Sequence, residues 1–122
     1  MKAAHSGRIV NISSGAGLSV SLTGIQAYAA AKAAQIGLTR QLAHELGPWG
    51  ITVATSRRGS CDRTRPPKGS RTRTARRDSA LVDRIALKRL GTPDDIAYGV
   101  LFFASEYAGW ISGQVIAIDG GK

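Results

Sequence analysis

Two short β-branched runs, Gly7–Ile12 (GRIVNI) and Gly50–Ala54 (GITVA), bracket a long helical pattern at Ile25–Leu46. That spacing constrains the fold more than any other feature of the chain. Apolar runs of this kind, continuous rather than alternating, read as parallel strands buried on both faces. The stretch between them is rich in Ala, Leu and Gln, with apolar residues over much of its circumference. It predicts a long helix buried on more than one side, stopped by Gly47-Pro48. Strand, helix and strand joined by short connections form a βαβ unit, whose strands run parallel with a right-handed crossover. Ser13–Gly24 is rich in Ser and Gly and reads as an ordered loop.

Downstream, Ser79–Leu87 reads as a short amphipathic helix. Thr92 is a helix N-cap, with Pro93 at the first helical position and Asp94-Asp95 in the positive first turn. That helix runs to about Ser105. Gly113–Gly121 predicts a third strand ending in a tight turn at Gly120-Gly121. The fold class is α/β, with a parallel sheet of about three strands. At 122 residues the chain is one domain at most. Phe102, Phe103, Tyr107 and Trp110 read as core or subunit interface.

No apolar run reaches the roughly 18 residues of a membrane span. The first ten residues lack a signal-peptide pattern, so a cytoplasmic location is expected. Cys61 is the single cysteine, which excludes an intrachain disulfide and a multi-cysteine metal site. His5 and His44 share no metal-ligand spacing with other residues, and no metal is expected.

The formal charge of +9 is concentrated in one place. Between Arg57 and Arg77 stand nine Lys or Arg and one Asp, a net +8. Residues 55–78 carry no hydrophobic pattern and read as an irregular, disordered basic insert. Arginine-rich arms bind phosphate backbones. This one, however, has no aromatic residue to stack on bases, and no specific nucleic-acid partner is expected.

The chemistry lies elsewhere. Tyr28 and Lys32 are four residues apart on the long helix and share one face. An ammonium beside a phenol favours the phenolate, which suits a general acid/base acting on an alcohol or carbonyl. The compact lysine charge also suits ribose hydroxyls. Ser14, at the end of the first strand, lies where open parallel sheets place ligands, and its hydroxyl can hold a substrate oxygen. Each signal is weak alone: a Tyr and a Lys at this spacing occur by chance, and a Ser after a strand is usually a turn residue.

Their order is more specific. GRIVNISSGAG, YAAAK, GITV, GTPDDIA and SGQVIAIDGG follow one another here. Together they resemble the C-terminal half of the short-chain dehydrogenase/reductase family, of the 3-oxoacyl-carrier-protein reductase-like kind. The resemblance covers Met1–Val53 and about Ala80–Lys122. It implies a partial Rossmann-like, doubly wound parallel sheet and reversible hydride transfer between NAD or NADP and a small carbonyl or alcohol substrate. By the same resemblance Ser14 positions the substrate oxygen, Tyr28 is the acid/base, and Lys32 tunes Tyr28 and binds the nicotinamide ribose. Asn11 and Ser13 line the cofactor side. Ser14 to Tyr28 is one residue longer than the commonest family spacing. Similar members are often homotetramers, so self-association is expected as well.

Two departures accompany the resemblance. The chain holds no glycine-rich TGxxxGIG turn and no NNAG segment, and Met1 reads as an internal methionine of a longer family member. An inactive partial chain is the corresponding expectation. Family members also follow GITV with a Pro-Gly substrate loop, whereas this chain continues ATSRRGSCDR. With suitable codons, shifting that text by two bases yields Asn-Val-Ala-Pro-Gly-Phe-Val-Arg-Pro. Ala54–Arg77 therefore reads as a frameshifted version of a replaced substrate loop. Sequencing the locus in independent clones checks this reading: a continuous frame encoding these residues would refute it.

Overall fold

The computed structural model describes residues 1–20, 24–59 and 79–122. Three strands, β1 (Gly7–Ser14), β2 (Ile51–Arg58) and β3 (Val115–Ile118), form one sheet in the order β1-β2-β3. Both pairings are parallel: Gly7 lies opposite Ile51 and Ser14 opposite Arg58, while Thr55 lies opposite Val115 and Arg58 opposite Ile118. The long helix α1 (Gln26–Leu46) connects β1 to β2, and α2 (Pro93–Ala104) precedes β3.

Alternation along the strands assigns the helices to faces. Asn11, Ser13 and Thr55 make side-chain bonds to α1. Val10 and Ala54, one residue out of phase, pack with Phe103 of α2 and with Ala108 and Ile111 just beyond it. Successive strand residues point to opposite faces, so α1 covers one face of the sheet and α2 the other. This is the doubly wound α/β arrangement expected from the sequence.

Local chemistry accounts for the element ends. The helix α1 gives way to a single 3₁₀ turn at Gly47–Trp49, and Gly50 follows at φ 64°. A Cβ on Gly50 would lie 2.6 Å from the His5 carbonyl oxygen, so both conformation and space require glycine. At α2, the Thr92 hydroxyl accepts from the Asp95 amide at 3.2 Å, and the Asp95 carboxylate accepts from the Thr92 amide at 2.7 Å. This reciprocal capping box closes the helix start. Arg89 reinforces it with two bonds to the same carboxylate, at 2.6 and 2.9 Å.

Those donors, Arg89 first and then Thr92, hold the Asp95 carboxyl well below the usual carboxylate range. A depressed folded-state value contributes stability above the unfolded value of about 4, and that contribution is lost as the pH falls through the acid range. Unfolding followed between pH 6 and pH 2 is expected to show a smaller acid-side loss in Asp95→Asn than in the parent. Parallel curves for the two proteins would contradict this.

Four expectations are corrected. The strand expected to end at Ala54 continues through Arg58, so Thr55–Arg58 belong to the central strand rather than to an irregular insert beginning at residue 55. Their polar text concealed a backbone paired on both sides, with Thr55 and Ser56 fully buried. The rest of that insert, residues 60–78 including Cys61, lies outside the described residues. The strand β1 is half-buried rather than buried on both faces, and among the described residues it pairs on one side only, as an edge strand. Finally, Ile36 and Thr39 are the buried residues of α1. The helix therefore buries one face, and Leu38 is half exposed. The expected helix over Ser79–Leu87 is helical at 79–83, after which Ile85 enters the core.

Of the aromatic group, Phe103 is core, while Phe102, Tyr107 and Trp110 are exposed. Ser56 is the one flaw in the central strand: its Oγ is buried with no partner among the described residues. A buried hydroxyl without a hydrogen bond costs about 1–3 kcal/mol. Ser56→Ala is therefore expected to raise stability by about 1 kcal/mol, read as a higher urea midpoint at unchanged m-value. A lower midpoint would mean that the hydroxyl has a partner.

Candidate active site

The carboxyl end of the sheet collects the residues singled out in the sequence. Ser14 closes β1 in extended conformation (φ −141°, ψ 157°) and caps the 3₁₀ turn Gly15–Gly17 that follows. Its Oγ accepts from the Ala16 amide at 3.3 Å. Among the described residues its own hydroxyl proton has no acceptor, so it remains available to a bound oxygen. The turn is pressed against α1, since a Cβ on Gly17 would lie 2.7 Å from the Lys32 carbonyl carbon. Only glycine permits that approach.

Tyr28 sits in the first turn of α1 and is 45% exposed. Among the described residues its hydroxyl has no hydrogen-bond partner. Lys32, one turn further on, places Nζ 5.8 Å from the centre of the Tyr28 ring. The same ammonium donates to the Ile12 carbonyl at 2.8 Å and to Gln35 Oε1 at 3.0 Å. An ammonium has three N–H donors. One remains, beside Tyr28 and at the end of β1.

Asn11 and Ser13 are occupied within the protein. Asn11 Nδ2 donates to Thr39 Oγ1 at 2.8 Å, and Ser13 Oγ donates to the Lys32 carbonyl at 2.9 Å with Ser13 only 3% exposed. Thr39 Oγ1 also donates to the Gln35 carbonyl at 2.9 Å and meets Thr55 Oγ1 at 2.5 Å. Thr39 donates once and accepts from both Asn11 and Thr55, so its hydroxyl is saturated. These bonds fix α1 on the sheet and so fix where Tyr28 and Lys32 stand. Sequence reasoning missed Thr39 and Thr55. A threonine inside an otherwise apolar helical stripe was the available signal.

Two more residues missed in the sequence shape this end. The Arg57 guanidinium pairs with the Asp119 carboxylate, with side-chain exposures of 20% and 7%. Arg57 Nη1 also lies 3.3 Å from the position a Gly15 Cβ would take. Asp119 Oδ1 in turn accepts from the Gly121 and Lys122 amides at 3.0 and 3.4 Å. The turn after Ser14 is thereby linked to the turn after β3. A small cleft at this end of β3 has a volume of about 150 Å³ and is lined by Arg89, Asp95, Ile118 and Asp119 among others.

Among the described residues no group of three or more His, Cys, Asp or Glu side chains is placed to hold a metal. No helix among them is long and apolar enough to cross a membrane.

A parallel sheet with helices on both faces, carrying Ser, Tyr and Lys at its carboxyl end, is a doubly wound α/β architecture, in which ligands bind beyond the carboxyl ends of the strands. The chain belongs to the short-chain dehydrogenase/reductases: the family model described as enoyl-(acyl carrier protein) reductase matches residues 1–122. It is 42% identical over 116 residues to an uncharacterized oxidoreductase, YjdA, of Bacillus subtilis (strain 168), covering 95% of this chain and 43% of that protein. It is 39% identical over 115 residues to the 3-oxoacyl-[acyl-carrier-protein] reductase FabG of Rickettsia conorii, covering 94% and 46%. A crystal structure of a Brucella melitensis 3-oxoacyl-[acyl-carrier protein] reductase with bound NAD superposes with a TM-score of 0.82 at 33% identity, over 99% of this chain and 42% of that one. A metagenomic blue fluorescent protein in complex with NADPH gives 0.80 at 32%, over 97% and 45%. The chain thus spans less than half the length of these relatives.

Proposed function

We propose that this chain carries the acid–base portion of an NAD(P)-dependent oxidoreductase acting on a small carbonyl or alcohol. The observation that supports it best is Tyr28, exposed and unpartnered among the described residues, with the Lys32 ammonium beside its ring and the Ser14 hydroxyl at the end of the adjoining strand. In this reading Ser14 donates to the substrate oxygen and orients it. Tyr28 transfers the hydroxyl proton to that oxygen in reduction and removes it in oxidation. Lys32 stabilises negative charge that develops on the Tyr28 oxygen.

The residues fit a nicotinamide cofactor at its ribose end, where the remaining N–H of Lys32 would meet a ribose hydroxyl. The cofactor, when bound, supplies or accepts the hydride. Asn11 and Ser13 serve the cofactor side indirectly, by holding the Lys32 turn of α1 against β1. That the relatives with bound NAD or NADPH align along nearly this whole chain supports the assignment.

The test is reduction of simple ketones with NADH or NADPH, comparing the parent chain with Tyr28→Phe. Turnover that survives the substitution would sink the reading.

Self-association belongs to the same reading, together with a cytoplasmic location. It is supported by the exposed apolar side chains of Tyr98, Leu101 and Phe102, spaced along one face of α2, and by exposed Tyr107 and Trp110 beyond it. Light scattering in dilute buffer is expected to give a mass above that of the monomer. A monomer at all concentrations tested would refute it.

A further inference from the structure

Tyr28, Lys32 and Gln35 follow one another on α1 at a spacing that sets them along one stripe of the helix. Tyr28 and Lys32 stand out in the sequence, whereas Gln35 enters through the contacts of Lys32. Gln35 Oε1 accepts from the Lys32 ammonium at 3.0 Å, and the Ile12 carbonyl accepts from the same group at 2.8 Å. An ammonium only donates, so this bond also fixes which end of the Gln35 amide faces it. The backbone of Gln35 is held in turn. Its carbonyl accepts from the buried Thr39 hydroxyl at 2.9 Å, and Thr39 is bonded to Asn11 and Thr55 of the sheet. Gln35 therefore joins the helix-to-sheet seam to the cation beside the Tyr28 ring.

The two acceptors of Lys32 act differently. The Ile12 carbonyl belongs to β1 and sets how far the ammonium lies from that strand. One such bond leaves the flexible four-carbon stem free to swing about it, and the second removes that freedom. Gln35 is also neutral. Lys32 makes no ion pair among the described residues, where Asp119 is engaged by Arg57 and Asp95 by Arg89. A carboxylate in place of the Gln35 amide would hold the ammonium equally well, but it would cancel much of the field that the ammonium exerts on a neighbouring phenol. Glutamine aims the charge and leaves it whole.

We propose that Gln35 is a positioning residue: its Oε1 holds the Lys32 ammonium beside Tyr28 without neutralising it. The proposal rests on the oxidoreductase reading for what the placed charge does, and not for the placement. Gln35 touches neither substrate nor cofactor in this role and acts through Lys32 alone.

The test compares Gln35→Met and Gln35→Glu in the full chain. Methionine keeps the length and the helix propensity of glutamine but offers no comparable acceptor, so the urea midpoint is expected to stay at the parent value. The Cε–Nζ group of Lys32 is followed by NMR with isotope-labelled lysine and assigned by its loss in Lys32→Met. It is expected to be ordered in the parent and in Gln35→Glu, and mobile in Gln35→Met, with an order parameter under about 0.6. Turnover with NADPH separates holding from charge. The kcat is expected to fall about tenfold or more in both variants, in Gln35→Met because the ammonium is no longer placed and in Gln35→Glu because its charge is offset. An ammonium that stays ordered in Gln35→Met or becomes mobile in Gln35→Glu would overturn the proposal, as would a parent-like kcat in either variant. Retained turnover in Tyr28→Phe refutes the oxidoreductase reading alone, since the NMR arm decides what holds Lys32 without any turnover.

Discussion

Replacing Asp119 by Ala is expected to lower the unfolding free energy by about 3 kcal/mol. The carboxylate is 93% removed from solvent and pairs with Arg57, itself mostly covered. Deleting one partner of such a pair leaves the other charge desolvated and uncompensated, which costs far more than the pair's net contribution. The Gly121 and Lys122 amides also lose an acceptor, but they lie at an exposed turn where water replaces it. The loss is read from the urea midpoint at constant m-value. A double variant, Arg57→Leu with Asp119→Leu, is expected to recover more than half of it, because an apolar pair leaves no buried charge behind. An unchanged midpoint in the single variant would show that the guanidinium finds water or another partner.

The second large effect is on turnover. Tyr28→Phe removes one oxygen from a side chain that is 45% exposed and whose hydroxyl has no partner among the described residues. Among the described residues nothing depends on that oxygen, so stability is expected to stay within about 0.5 kcal/mol of the parent. If the phenol moves the proton in the reaction, kcat is expected to fall by about 10²–10⁴-fold. KM is expected to change little, because in the proposed reading Ser14 still holds the substrate oxygen. A fall in kcat together with an equal fall in stability would assign the tyrosine to the fold rather than to the chemistry.

The sequence made the βαβ unit legible because its two strands and its helix have different periods and a Gly-Pro break between them. It made Ser14, Tyr28 and Lys32 visible because they are chemistry-bearing residues at fixed distances along known elements. The structure brings these three to one end of the sheet. The extension of β2 through Thr55–Arg58 was hidden: four polar residues carry no apolar signal, and what holds them is pairing with β1, 44 residues earlier, and β3, 60 residues later. The bonds that occupy Asn11 and Ser13 were hidden for a related reason. Thr39 and the Lys32 carbonyl are their partners across the α1–sheet interface, and no local pattern encodes such a meeting. The same holds for Arg57 and Asp119, which are 62 positions apart.

Lys32 illustrates how far position and chemistry can coincide in one side chain. Its ammonium ties the helix to the last part of β1 through the Ile12 carbonyl while standing beside the Tyr28 ring. It is a strut as well as a charge. Truncating it would slacken the helix-to-strand seam and remove the cation in a single stroke, so a dead Lys32→Ala protein would say nothing about which loss was responsible. Arginine would keep the charge, but its flat fork cannot reproduce a compact tripod aimed at two acceptors at once. For this lysine, genetics alone is uninformative. The role proposed for Tyr28 has to be tested at Tyr28 itself.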